Sequence, residues 1–373
     1  MKKYLFTLLL LHTFIISFLS AQPELVFEQK VPSGWKFRKF DISRSGHIAI
    51  YYLPDLPTEV LLKENHKSYL QIFGPEKNLL NERLLDSGSW FYKFSPGDLI
   101  LIESGGEYHL LTSEGKEITK FQDRYYGDRE IVFDLHNREI ALSPGTGITS
   151  LPATVIDLNT GKEKFQFGPL QLPEKKLRLL PGSFFLPVGK DDMYIFGFGN
   201  TVHLSCYNSE KNIWKIDNVG GNIEKGEFLN EDILAISYFD LKNRHDQTSK
   251  RGFILVDWKT GKILFRKEGF SQGKQADDWY GFFALFRAYL SDEGDLCFLK
   301  GERIIRIPKV TGKKYSWDTS RPKKYRIIFE FQTPETYRTK EKRDRPEIIR
   351  NKYWAVCEDN LLRIYKIKFI ETD

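Results

Sequence analysis

One hairpin design recurs along the chain and limits what it can fold into. Val155-Ile-Asp-Leu-Asn-Thr-Gly161-Lys, Leu255-Val-Asp-Trp-Lys-Thr-Gly261-Lys and Arg306-Ile-Pro-Lys-Val-Thr-Gly312-Lys each lead an apolar strand into a polar turn closed by Thr-Gly-Lys. Second strands follow, as in Lys-Phe-Gln-Phe and Ile-Leu-Phe-Arg. Glycine suits such turns because it takes the positive φ of a tight hairpin without steric penalty. Weaker copies are Leu111-Thr-Ser-Glu-Gly115-Lys, Cys206-Tyr-Asn-Ser-Glu210-Lys and Ile72-Phe-Gly-Pro-Glu76-Lys. The equivalent positions 76, 115, 161, 210, 261 and 312 are 39, 46, 49, 51 and 51 residues apart.

A second turn type precedes each hairpin. Phe40-Asp-Ile-Ser-Arg-Ser-Gly46, Phe94-Ser-Pro-Gly97-Asp and Leu290-Ser-Asp-Glu-Gly294-Asp each feed an apolar strand, and degenerate copies fill the other places. Each unit therefore holds four strands and two tight turns in about 40–60 residues, a length and composition that reads as a propeller blade. Helical periodicity is nearly absent. The fold expected is all-β, a single domain over residues 22–373 with seven four-stranded blades. The last unit lacks its fourth strand, so Leu25–Val31 is expected to pair beside Leu361–Phe369 and close the ring, which leaves no open edge. Lys323-Lys-Tyr-Arg-Ile-Ile-Phe-Glu-Phe reads either as the outer strand of blade six or as an extra strand.

The Phe-Ser-Pro-Gly97-Asp and Asp-x-x-Thr-Gly-Lys turns resemble those of WD40-like, TolB-like and quinoprotein-like propellers over the whole chain after residue 21, at superfamily level. The paired Gly-His and Trp-Asp dipeptides of WD40 repeats are missing. Where quinoprotein-like blades carry a recurring Trp, this chain has Phe165, Trp214 and Phe265, which argues against a pyrroloquinoline cofactor. No cofactor is expected.

Residues 1–21 have the order of an export signal: basic Met1-Lys2-Lys3, apolar Tyr4 to Leu19, then small Ser20-Ala21. The expected product is a periplasmic or secreted protein with no membrane span after cleavage; an uncleaved anchor helix is the other reading. Mean hydropathy of -0.41 and a single apolar run exclude a polytopic membrane protein. Three cysteines, Cys206, Cys297 and Cys357, allow at most one disulfide. Their apolar, strand-like surroundings favour buried thiols instead.

No motif with a mechanism occurs: no Gly-x-Ser-x-Gly, no His-Glu-x-x-His, no Walker loop and no EF-hand. The six histidines after the leader are scattered, so no metal site is expected, and Asp191-Asp192 reads as a turn. Residues 309–352 carry 14 Lys/Arg against 6 Asp/Glu, a net +8, which suits a solvated loop or docking to an anionic surface or polysaccharide. Thr333–Glu347, charged and without alternation, is expected to be poorly ordered. The long connections, by contrast, all fall at one end of the blades: Leu53–Ser68, Ser143–Leu151, Phe239–Arg251, Lys267–Gly281 and Gln332–Glu347. Binding evolves on such loops. Three connections at that end combine charge with aromatic or imidazole rings, and Arg124, Tyr125, Arg244, His245, Asp278, Trp279 and Tyr280 are the candidate ligand-binding residues. The function expected is a monomeric interaction module for a protein or glycan outside the cytoplasm, without nucleic acid. A glycan hydrolase or lyase and an envelope-assembly scaffold are the alternatives.

Overall fold

A computed structural model describes residues 24–43, 45–57, 60, 66–86, 89–95, 97–104, 106–122, 129–136, 138–144, 153–167, 183–206, 212–239, 250–271, 288–291, 293–300, 303–327, 353–358, 360–366 and 369–372. Every named element is a strand. The chain divides into two compact units: Gly34–Phe283, and Met1–Ser33 with Ala284–Asp373.

The first unit is five consecutive antiparallel sheets of four strands, each in sequence order. Sheet one holds β2 (Trp35–Ile42), β3 (Ile48–Pro54), β4 (Ser68–Phe73) and β5 (Leu79–Leu85). Sheet two holds β6 (Trp90–Phe94), β7 (Ile100–Ser104), β8 (Glu107–Leu111) and β9 (Glu117–Gln122). Sheet three holds β10 (Arg129–Phe133), β11 (Glu139–Pro144), β12 (Ala153–Asp157) and β13 (Glu163–Phe167). Sheet four holds β14 (Ser183–Pro187), β15 (Met193–Phe198), β16 (Thr201–Cys206) and β17 (Asn212–Ile216). Sheet five holds β18 (Asn222–Phe228), β19 (Ile233–Phe239), β20 (Lys250–Asp257) and β21 (Lys262–Ser271).

Each sheet packs on the next. Tyr51, Leu70 and Ile72 of sheet one share a core with Phe91, Phe94 and Ile100 of sheet two. Leu101 and Tyr108 meet Ile140 and Leu142 of sheet three. Ala141, Ala153 and Val155 lie under Phe185, Tyr194 and Phe196 of sheet four, small residues against large. Leu204 and Val202 join Ile236, Ile254 and Val256 of sheet five. Middle strands, covered on both faces, are therefore near-continuous apolar runs such as Ile48-Ala-Ile-Tyr-Tyr52. Fourth strands are mostly exposed, as in β5. This succession of four-stranded sheets, packed face on face, is β-propeller architecture.

The turns are closed by their own side chains. Asp157 Oδ1 accepts the amides of Asn159 and Thr160, and Asp257 Oδ1 those of Lys259 and Thr260. Ser95 Oγ accepts from Gly97 and Leu99, and the buried Asp134 carboxylate from His136, Arg138 and Glu139. In sheet one the left-handed turn residue is Lys77 (φ 69), one place beyond the Glu76 expected from the repeat.

One feature of the repeat emerges only in three dimensions. Directly after the third–fourth strand turn, the fourth strand bulges in every sheet of this unit, at Leu80, Ile118, Lys164, Ile213 and Leu264. A bulge re-aims the residue that follows it, and in three of the five sheets (Asn81, Thr119 and Trp214) that residue reaches the turn of the next sheet. A Cβ on Gly115 would stand 2.6 Å from Asn81, and one on Gly261 2.8 Å from Trp214; Gly161 is likewise crowded by Thr119. Asn81 Nδ2 also donates to Glu114 O (3.0 Å), and Trp214 Nε1 to Trp258 O (2.7 Å). The turn glycine is thus required twice, for its φ and for its missing side chain.

In the second unit, sheet six runs β22 (Ala288–Leu290), β23 (Leu296–Lys300), β24 (Arg303–Ile307), β25 (Lys323–Ile327) and β28 (Phe369–Thr372). Sheet seven is β1 (Glu24–Lys30), β27 (Leu361–Lys366) and β26 (Tyr353–Glu358). The expected pairing of the N-terminal segment with the last repeat is present. β1 runs antiparallel to β27, from Glu24↔Lys366 to Lys30↔Leu361, and Glu28 pairs with Arg363 at 2.8 Å.

Two expectations about strands and one about a cysteine are corrected, and one open alternative is resolved. The final strand ends at Lys366 rather than Phe369, because Phe369–Thr372 departs to pair with β25, whose outer ladder groups it satisfies. Lys323–Ile327 is the fourth strand of sheet six, and the extra strand is β28. The hairpin around Gly312 is not tight: β24 ends at Ile307 and β25 begins at Lys323. No disulfide joins Cys206, Cys297 and Cys357, and Cys357 is exposed rather than buried. Thr333–Glu347 lies outside the described residues.

Candidate functional site

Antiparallel order assigns every connection to one of two ends of its own sheet. First–second and third–fourth strand turns share one end. In the first unit each is four or five residues long (258–261 and 43–47 are examples). Many of their described polar groups are taken up by the turns themselves or by structural pairs. Lys164 Nζ, for instance, bridges the buried Glu139 (2.5 Å) and Asp192 (2.6 Å). Burial opposes its charge, but the two carboxylates outweigh that and raise its pKa above the ordinary lysine value. Asp191 and Asp192 both have φ 53, consistent with a turn role.

Ser45, His47 and Asp98 also meet at this end. Ser45 Oγ lies 2.6 Å from His47 Nδ1, while Asp98 Oδ1 accepts the Ser45 amide at 3.5 Å. A nucleophilic triad needs its carboxylate on the second imidazole nitrogen, and Asp98 is on the serine instead. The cluster is a turn-to-turn tie between sheets one and two.

The other end carries the long connections 55–67, 145–152, 168–182, 240–249 and 272–287. The connection 168–182 is a member of this set that the sequence reading missed. All seven candidate residues fall on connections at this end and outside the described residues. Arg124 and Tyr125 lie between β9 and β10, Arg244 and His245 between β19 and β20, and Asp278, Trp279 and Tyr280 between β21 and β22. β19 and β21 run the same way, so 240–249 and 272–287 leave sheet five from one end.

The base of that end is well defined. Tyr238, next to last in β19, is 3% exposed and packs in the core between sheets four and five. Its ring is accommodated by two glycines: a Cβ on Gly220 would come within 2.6 Å of it, and one on Gly252 within 2.5 Å. Gly252 faces a bulge of β21 that includes Glu268, which carries the fourth strand around the ring. The Tyr238 hydroxyl is buried with no partner at full hydrogen-bonding geometry among the described residues, although Arg266 and Glu268 stand close to it. Burial, then the nearby Glu268 charge, push its pKa above 10, so it stays protonated as a donor. Arg266 reaches across from β21 to donate to Val219 O (3.0 Å) and Asn218 O (3.4 Å), and lies 3.5 Å from Glu268 Oε1. A hydroxyl, a guanidinium and a carboxylate thus meet near the end of sheet five from which connections 240–249 and 272–287 depart. Arg266 and Glu268, which are solvent-accessible, can donate to and accept from one polar ligand group above the buried hydroxyl.

The sequence reading missed Tyr238, Arg266 and Glu268. The available signal was Gly252 in the middle of a β-branched and aromatic strand, which marks a close approach by another group. Among the described residues no group of His, Cys, Asp and Glu could hold a metal ion. No described helix is long and apolar enough to cross a membrane.

No protein-family model matches the chain, and a search of curated proteins finds no relative. Solved structures with similar folds include a chain of the mitotic checkpoint complex (10% identity, 92% of each chain, TM-score 0.47). The β-propeller domain of Cps50 (Swd1) from Myceliophteria thermophila matches with 11% identity over 93% of this chain and 100% of that one, TM-score 0.46. A protein of unknown function from Bacteroides caccae matches with 14% identity over 67% and 88%, TM-score 0.37. These likenesses are distant, and the fold assignment rests on the strand order described above.

Proposed function

We propose that the protein is a propeller-type binding module that captures a protein or glycan through the long-connection ends of its sheets, and that it is exported by residues 1–21. One observation carries the reading. Many polar groups of the short connections are taken up within the turns, whereas all seven candidate residues belong to connections at the other end, the end of sheet five at which Tyr238, Arg266 and Glu268 lie. Rigid sheets that present long loops from one end suit recognition.

The test uses the full-length protein against a panel of oligosaccharides, with reducing ends assayed alongside binding. Trp279→Ala is expected to lower affinity at least tenfold for whichever saccharide binds, with an unchanged melting temperature. Equal binding by the variant would remove the site. Accumulation of reducing ends would replace the binding reading with the hydrolase reading. If no saccharide binds, the ligand is a protein.

A further inference from the structure

We infer that the outer edge of β5, in sheet one, is a strand-addition site for an extended peptide whose sequence runs apolar, acidic, basic. This site lies on sheet one alone and is independent of the loop-end reading above. A strand at the end of a sheet turns every second N–H and C=O away from the ladder, and such an edge pairs with other chains unless it is blunted. In sheet six the edge of the fourth strand is covered by the protein itself. There β28 adds to β25 in antiparallel register, from Lys324↔Thr372 to Ile327↔Phe369. In the first unit β5, β9, β13, β17 and β21 are the outermost described strands of their sheets. The last four carry lysine, a common edge protector, at Lys120, Lys164, Lys215 and Lys262. β5 reads Leu-Leu-Asn-Glu-Arg-Leu-Leu and has none.

The strand is also apolar where it meets solvent. Leu84 and Leu79 are 57% and 47% exposed, two of the six large apolar side chains exposed among the described residues. The bulge at Leu80 sits at the start of the strand, and from Asn81 to Leu85 the register with β4 is unbroken. Those residues form a regular ladder edge. Leu84 lies directly opposite Tyr69, whose ring packs on Tyr52 at 5.8 Å. An apolar residue added across from Leu84 would extend that row, and cross-strand pairs of this kind stabilise a ladder.

Charge sets the order of the partner's residues. Glu82 and Arg83 are successive, so they project from opposite faces, and both are exposed. Glu82 accepts the Tyr69 hydroxyl and the Gln71 amide (3.5 Å), and its carboxylate keeps lone pairs for a cation. Arg83 makes no ion pair among the described residues. Antiparallel addition, the more stable mode, places successive partner residues opposite Leu84, Arg83 and Glu82. An apolar, an acidic and a basic residue match them in turn. A second copy of β5 is a poor occupant. A two-fold axis centred on Glu82 or Arg83 sets like charges directly across the ladder, which destabilises it. Centring on Leu84 sets Glu82 against Asp86, and centring on Asn81 runs the pairing into the bulge.

The probe is the labelled peptide Thr-Thr-Val-Glu-Lys-Thr-Thr, and Thr-Thr-Val-Lys-Glu-Thr-Thr is its charge-reversed comparator. Affinities for the full chain are read by fluorescence anisotropy. Wild type is expected to prefer the first peptide by about tenfold, because opposite charges across a ladder stabilise it and like charges destabilise it. The double variant Glu82→Lys, Arg83→Glu should invert the preference, a result that loss of folding cannot mimic. Leu84→Lys, which installs the missing edge lysine, should lose both peptides at an unchanged melting temperature. No binding by wild type, equal affinity for the two peptides, or an unchanged preference in the double variant would each overturn the proposal. Self-association of wild type that Leu84→Lys abolishes would overturn it too, by making a second copy the occupant.

Discussion

At the residue scale, two buried polar side chains define what this framework tolerates. His203 in β16 stacks on Phe196 at 5.7 Å, and its Nδ1 is buried without a hydrogen-bond partner among the described residues. Burial, reinforced by Lys215, lowers its pKa below the ordinary 6.5. The folded state therefore binds fewer protons at this site than the unfolded chain. Its stability is complete above the ordinary histidine range and declines as pH falls from there toward the folded pKa. His203→Phe keeps the stack and removes the titration. Its melting temperature should fall less than that of wild type between about pH 7.5 and pH 5; equal losses would assign the acid sensitivity elsewhere. The Tyr238 hydroxyl gives the complementary test. A buried donor without an acceptor costs about 1–3 kcal/mol of desolvation, so Tyr238→Phe should melt at the same temperature as wild type or higher. A clear drop would mean that the hydroxyl is satisfied within the fold and is not held ready for a ligand.

At the scale of the element, the bulge after each third–fourth strand turn is the device that couples neighbouring sheets. The alternating pattern of apolar and polar residues locates these fourth strands but cannot show that each is offset by one residue at the same place. That offset aims Asn81, Thr119 and Trp214 at the turns of the following sheets. Gly261→Ala meets two obstacles: φ of 72° and the Trp214 ring. We expect a loss of about 2 kcal/mol in unfolding experiments, combining left-handed strain with the clash. Trp214→Ala should relieve the clash but not the strain. In a double-mutant cycle Gly261→Ala should then cost about 1 kcal/mol less in the Trp214→Ala background. Additive losses would show that ring and turn are energetically independent.

At the scale of the whole molecule, the N-terminal segment completes the last sheet from a distance of more than three hundred residues. Phe27 and Val31 are buried, and the amide of Val31 donates to Asn360 O at 2.8 Å. Deleting residues 22–31 would strip β27 of its outer neighbour and expose an unpaired edge. A lower melting temperature and concentration-dependent aggregation are expected; a deletion variant as stable as the parent would make β1 dispensable. The repeated turns and the missing fourth strand made this pairing readable in the sequence, because turn chemistry is local and strand counting is arithmetic. The propeller class, the turn glycines and the roles of Phe165, Trp214 and Phe265 as equivalent positions follow from the same local rules. Tertiary structure alone decided the rest. It converted the Thr-Gly-Lys of residues 311–313 from a tight hairpin into a Trp317-anchored excursion, because burial of one indole outweighs the preference of a single turn. It sent Phe369–Thr372 to β25, since an edge ladder is satisfied by any strand in reach. It also placed Tyr238 against two glycines and beside Arg266 and Glu268, a meeting of residues from three strands and a connection that no spacing along the chain encodes.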